Sequence, residues 1–143
     1  MSIKKTGSAE WQGSLKEGKG TVSTQSGSLK DNPYGFKQRF EGQPGTNPEE
    51  LIAAAHASCY SMALSMILGE AGHEAESIKT LATVTLDQDA SGFSVTQVHL
   101  DTTARIPGAD QAAFEDAANK AKTGCPISKL LTAEITLDAK LEG

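Results

Sequence analysis

Residues 51–68 read LIAAAHASCYSMALSMIL, an uncharged run with a cysteine, Cys59, at its centre. At about 1.5 Å of rise per residue, such a run makes roughly five turns of helix. Both ends carry stop signals. Upstream, in QPGTNPEE (43–50), Asn47 is a good N-cap, Pro48 suits the first helical position, and Glu50 stands where a capping box requires it. Downstream, Gly72 ends the helix after about Ala71. The face that carries Cys59 holds Ile52, Ala55, His56, Met62, Ala63 and Met66, and the opposite face is hardly more polar. The helix therefore calls for apolar cover on nearly every side.

The flanking segments bound what can supply that cover. EWQGSL (10–15), GKGTVST (18–24) and YGFKQRFEG (34–42) read as short strands separated by Gly, Asn and Pro. SIKTLATVTLD (77–87) and FSVTQVHLDTTARI (93–106) read as two longer strands. A helix over 111–123 places Phe114, Ala117, Ala118 and Ala121 on one side. Gly124, Cys125 and Pro126 break it, PISKLL (126–131) makes a short helical turn, and ITLDAKLE (135–142) alternates with Ile135, Leu137, Ala139 and Leu141 inward. No repeat or linker interrupts residues 1–143, so a single α+β domain is expected. One sheet covers one side of the 51–68 helix. A second copy of the chain is the simplest source for the rest, which predicts an obligate homodimer with long buried helices at its centre and antiparallel sheets outside.

Composition narrows the function. The 143 residues suit one domain with a real core. With 18 acidic against 13 basic groups and a net charge of −5, the surface offers no basic patch for nucleic acid or an anionic membrane. The start, MSIKKTGSAEW, has no apolar segment of the secretory kind. The 51–68 run is long enough to cross a bilayer, but His56, Ser58, Ser61, Ser65 and its many alanines make it a poor span. A cytoplasmic location follows. In that reducing compartment two cysteines are more often catalytic or incidental than structural.

Cys59 lies mid-helix, and Cys125 sits in TGCP (123–126), where it can cap the segment that Pro126 begins. Unpaired N–H groups there would favour a thiolate. Three readings fit the pair. Both thiols can be plain packing, since cysteine is among the most buried residue types. His56 and Cys59, one turn apart, could join Cys125 on zinc, but a structural site needs four ligands and neither His73 nor His99 stands in register, so no metal is expected. A redox pair is the third reading. A buried Cys59 thiolate needs a cation beside it, best an arginine, and only Arg39 and Arg105 are available. In YGFKQRFEG, Phe36 and Phe40 alternate with Lys37, Arg39 and Glu41, which puts Arg39 on the solvent side of a strand.

Over almost its whole length the sequence resembles the osmotically inducible protein C (OsmC) branch of the OsmC/Ohr family of thiol-dependent peroxidases. The resemblance is carried by EWQGSLKEGKGTVST (10–24), YGFKQRFEG, GTNPEELIAAAHASCYSMAL (45–64), AKTGCPISKLL (121–131) and EITLDAKL (134–141). It implies an intertwined α+β dimer that reduces organic hydroperoxides, and hydrogen peroxide more weakly, to alcohols without a cofactor. It implies that Cys59 is the peroxidatic cysteine and Cys125 the resolving one, that Arg39 holds the thiolate and that Glu49 orients Arg39. It also implies a dithiol reductant, which in the Ohr branch is of lipoyl type. Glu49 and Cys59 are ten residues apart, about 15 Å along a regular helix. A glutamate serving the site would therefore come from the other chain. Glu49 is chosen over Glu50 by the family spacing alone; either also suits the helix start by its charge. Phe36, Phe40, Met62 and Met66 are candidates to line an apolar substrate pocket, and His56 could act on a proton near Cys59. The rival class is a redox-sensing or small-molecule-binding dimer whose disulfide signals without turnover.

Overall fold

The computed structural model describes residues 1–142. The chain forms two compact units, Met1–Leu51 and a second that begins at Ile52. In the first, β1 (Gly7–Gln12), β2 (Lys19–Thr24) and β3 (Asn32–Tyr34) make an antiparallel sheet with β2 in the middle. Gly20 of β2 lies between two aromatic residues, paired with Trp11 on one side and Tyr34 on the other. A Cβ at position 20 would stand 2.5 Å from the Tyr34 ring and 2.7 Å from Trp11, so only glycine fits beneath those rings.

The segment expected to be a third strand is instead a helix, α1 (Phe36–Phe40). Apolar residues four apart fit a strand's alternation and one helical turn equally well, and here the turn wins. The Arg39 N–H donates to the Gly35 carbonyl at 3.0 Å, and the Phe36 and Phe40 rings pack with centroids 4.9 Å apart. Arg39 is thus carried on a helix, its guanidinium 5.4 Å from the centre of the Phe40 ring.

Next comes α2 (Pro48–Glu70). Asn47 caps it, its Oδ1 accepting the Glu50 N–H at 2.8 Å. The return bond of a capping box is replaced, because the Glu50 carboxylate accepts from the Thr46 hydroxyl at 2.8 Å. At the other end Gly72, with φ 85°, allows the paired closure of a Schellman motif. His73 N–H donates to the Leu68 carbonyl at 2.8 Å and Gly72 N–H to that of Gly69 at 3.0 Å.

In the second unit α2 shows one buried stripe, His56, Tyr60, Leu64 and Leu68, spaced four apart. The expected burial on all sides is not met within one chain: Met62 is 74% and Met66 61% exposed. The stripe joins a core with Val98, Leu100 and Ala104 of β5 (Gly92–Arg105) and Phe114, Ala117, Ala118 and Ala121 of α3 (Gln111–Gly124). The sheet runs β4 (Ser77–Asp89), β5, β6 (Glu134–Glu142). β4 and β5 are antiparallel with a register shift at Thr85/Leu86, but β6 is parallel to β5, so this sheet is mixed and not antiparallel throughout as expected. A parallel pair needs a crossover. It consists of α3, capped by Asp110 on the Ala113 N–H at 2.7 Å, and the short α4 (Pro126–Leu130).

Candidate active site

Cys125 stands at the joint of the crossover. It ends α3, its N–H donating to Ala121, and opens α4, its carbonyl accepting from Lys129, each at 3.0 Å. The side chain makes no capping bond and is wholly buried. It faces Cys59 of α2, which is partly buried. Both are free thiols within hydrogen-bond reach of each other, and the Ile127 N–H also donates to the Cys59 sulfur.

The electrostatics follow from this setting. Burial pushes the Cys59 thiol up, and the hydrogen bond and charge of Cys125 push it the same way, while the Ile127 N–H works against them. Its neighbour Tyr60 donates to the Ala118 carbonyl at 3.2 Å. Burial, then Cys125, raises the phenol well beyond its usual range, so it remains a neutral donor. His56, one turn before Cys59, is wholly buried and bonds through Nε2 to Ser128 Oγ of α4 at 2.7 Å. Burial lowers its pKa from 6.5.

The first unit holds the cation. Arg39 Nε donates to both oxygens of Glu49, at 2.9 and 3.1 Å, and Nη2 bonds Oε1. Arg39 thus pairs with Glu49 and not with Glu50. The same guanidinium borders a cavity of about 280 Å³ lined by Trp11, Leu15, Tyr34, Phe36, Phe40 and Pro48. Phe36 and Phe40 therefore line an apolar cavity, whereas Met62 and Met66 stand on the outer face of α2. Trp11 and Tyr34, not anticipated as lining residues, reach the cavity from β1 and β3. Strand pairing across Gly20 unites them, and nothing in either residue's immediate sequence signals it.

An α+β chain in which a helix-borne thiol faces a second thiol across a helix joint has the geometry of a dithiol redox protein. More specifically, the chain belongs to the OsmC-like protein family, which matches residues 40–140. It is 56% identical over 142 residues to peroxiredoxin OsmC of Escherichia coli K12, covering 99% of both chains. It is 33% identical over 103 residues to the organic hydroperoxide resistance protein OhrB of Bacillus subtilis, covering 71% of this chain and 72% of that one. The crystal structure of OhrB superposes with a TM-score of 0.68 at 26% identity, over 96% of this chain and 98% of its own. An OsmC-like protein of unknown function from Vibrio cholerae shares the fold with a TM-score of 0.78 at 19% identity, over 96% and 99% of the chains.

Proposed function

We propose that the protein is a thiol-dependent peroxidase that reduces organic hydroperoxides. The observation that carries this reading is the contact between the Cys59 and Cys125 thiols in a chain 56% identical to a peroxiredoxin. The Cys59 thiolate attacks the hydroperoxide, the O–O bond breaks, an alcohol leaves and Cys59 becomes a sulfenic acid. The Cys125 sulfur then attacks the Cys59 sulfur, water leaves, and a disulfide forms before further oxidation. An external dithiol, of lipoyl type or similar, reopens it by two exchanges. The need to reduce it each cycle suits the cytoplasm.

The whole chain works as one domain of a homodimer. Three features support this. Among the described residues of the first unit only Gly20 and Thr46 are buried, so the β1–β3 sheet lacks a core of its own. The outer face of α2 presents Ala55, Ser58, Met62 and Met66 to solvent in the single chain. By length and composition α2 could also cross a membrane. Its buried stripe already forms half of a protein interior, and a second α2 completes it. Finally, Cys59 has its pKa raised by its own chain, and a cation must reverse that. Glu49 and Cys59 are about 15 Å apart along α2 at the rise of a regular helix. The Arg39–Glu49 pair therefore serves the Cys59 of the partner chain, and the cavity beside Arg39 receives the apolar part of the substrate.

The test is steady-state consumption of cumene hydroperoxide and of hydrogen peroxide, with dithiothreitol or dihydrolipoamide, by the wild type and Cys59→Ser. Cys59-dependent turnover that favours cumene hydroperoxide is the expected result. A disulfide that forms and reopens without turnover would instead indicate a redox sensor.

A further inference from the structure

We infer that the His56–Ser128 hydrogen bond positions α4 for disulfide closure, and so sets how fast Cys125 captures oxidised Cys59. The inference rests on the proposed resolving role of Cys125. Two cross-links join α2 to α4 in parallel. One is the thiol contact of Cys59 with Cys125, and the other is the 2.7 Å bond of His56 Nε2 with Ser128 Oγ. His56 precedes Cys59 by three residues and Ser128 follows Cys125 by three, so each partner stands one turn from its cysteine.

α4 has five residues, too few to hold a helix by its own hydrogen bonds, so its place is set by what it packs on. Ile127, whose N–H donates to the Cys59 sulfur, lies between Cys125 and Ser128. The His56 ring is wholly buried, and its Nδ1 has no hydrogen-bond partner among the described residues. An unsatisfied buried nitrogen destabilises a fold, and an apolar residue would fill the site without that cost. The imidazole is thus explained by the bond its other nitrogen makes. In the closing step the Cys125 sulfur attacks the Cys59 sulfenic sulfur, the S–O bond breaks, water departs and the S–S bond forms. The sulfurs must reach about 2.05 Å, and a helix pinned one turn beyond Cys125 has less conformational space to search before they do.

The experiment follows one turnover after mixing with cumene hydroperoxide, quenching at intervals and reading thiol, disulfide and sulfinic acid by intact mass. Ser128→Ala, Ser128→Thr and His56→Leu are compared with the wild type at matched Cys59 oxidation. Loss of one hydrogen bond in Ser128→Ala should slow closure about fivefold or more and raise the sulfinic product, with Ser128→Thr restoring both. His56→Leu removes the same bond from α2 with an apolar side chain in the buried site, and should slow closure too. Closure at the wild-type rate in folded Ser128→Ala or folded His56→Leu, with no extra sulfinic acid, overturns the inference. A wild type that never forms the disulfide would overturn the resolving role of Cys125 itself.

Discussion

Arg39 and Glu49 form a two-pronged ion pair, Nε reaching both carboxylate oxygens and Nη2 one of them, with the Glu49 side chain only 14% exposed. A carboxylate held this way fixes the plane of the guanidinium and leaves its remaining N–H groups free to address another anion. Arg39→Ala should raise the apparent pKa of Cys59 in the assembled protein and lower the peroxidase rate at neutral pH by about tenfold or more. Arg39→Lys keeps the charge but loses the fork, and should recover only part of the rate. An unchanged pH–rate profile for Arg39→Ala would remove it from the mechanism.

Cys59→Ser should reduce peroxide consumption to the uncatalysed background. Cys125→Ser should complete one turnover and then accumulate sulfinic and sulfonic acid on Cys59, read as added oxygen on intact protein. Sustained turnover by Cys125→Ser with a dithiol present would show that another thiol resolves Cys59.

The protein should sediment at twice 14.9 kDa at micromolar concentration. Met62→Glu, which places a charge on the exposed face of α2, should shift the population to monomer and abolish activity together. A fully active monomer would dissociate the α2 face from the site.

Stability should fall on acidification in a way that His56 controls. Folded His56 is neutral because burial lowers its pKa, while in the unfolded chain it takes up a proton below its ordinary 6.5. The unfolded state then binds more protons, so this contribution is complete above 6.5 and is lost as pH falls through the depressed folded value. Urea unfolding at about pH 7.5 and about pH 5.5 should show a smaller loss in His56→Gln than in the wild type. Equal losses would place the acid sensitivity elsewhere.

Where caps and long periodic runs existed, the fold was legible in the sequence. Asn47, Pro48 and Gly72 bracket α2 as expected, and the four buried residues of α3 are those its periodicity selects. α1 was misread because five residues are too few to distinguish a period of two from one of 3.6. The all-round burial of α2 was inferred from its composition, but one chain covers only the stripe from His56 to Leu68. At the candidate site both cysteines were conspicuous by position. The pairing of Arg39 with Glu49 was chosen by family spacing, since an adjacent glutamate is chemically equivalent until the turn at Thr46 draws Glu50 away. Ser128 gave no signal, because a serine in PISKLL reads as an ordinary helical residue until the fold sets it against His56.

The missing side chain at Gly20 has a further use. Trp11 and Tyr34 meet over that glycine with ring centroids 5.7 Å apart, and both border the apolar cavity. Trp11 is the chain's single tryptophan. All the indole emission of the protein therefore comes from the wall of one cavity, and whatever enters will alter it by displacing water or shifting the ring. The molecule carries a built-in optical gauge of occupancy that needs no label, and a methyl group added at position 20 would change its zero by tilting the fluorophore.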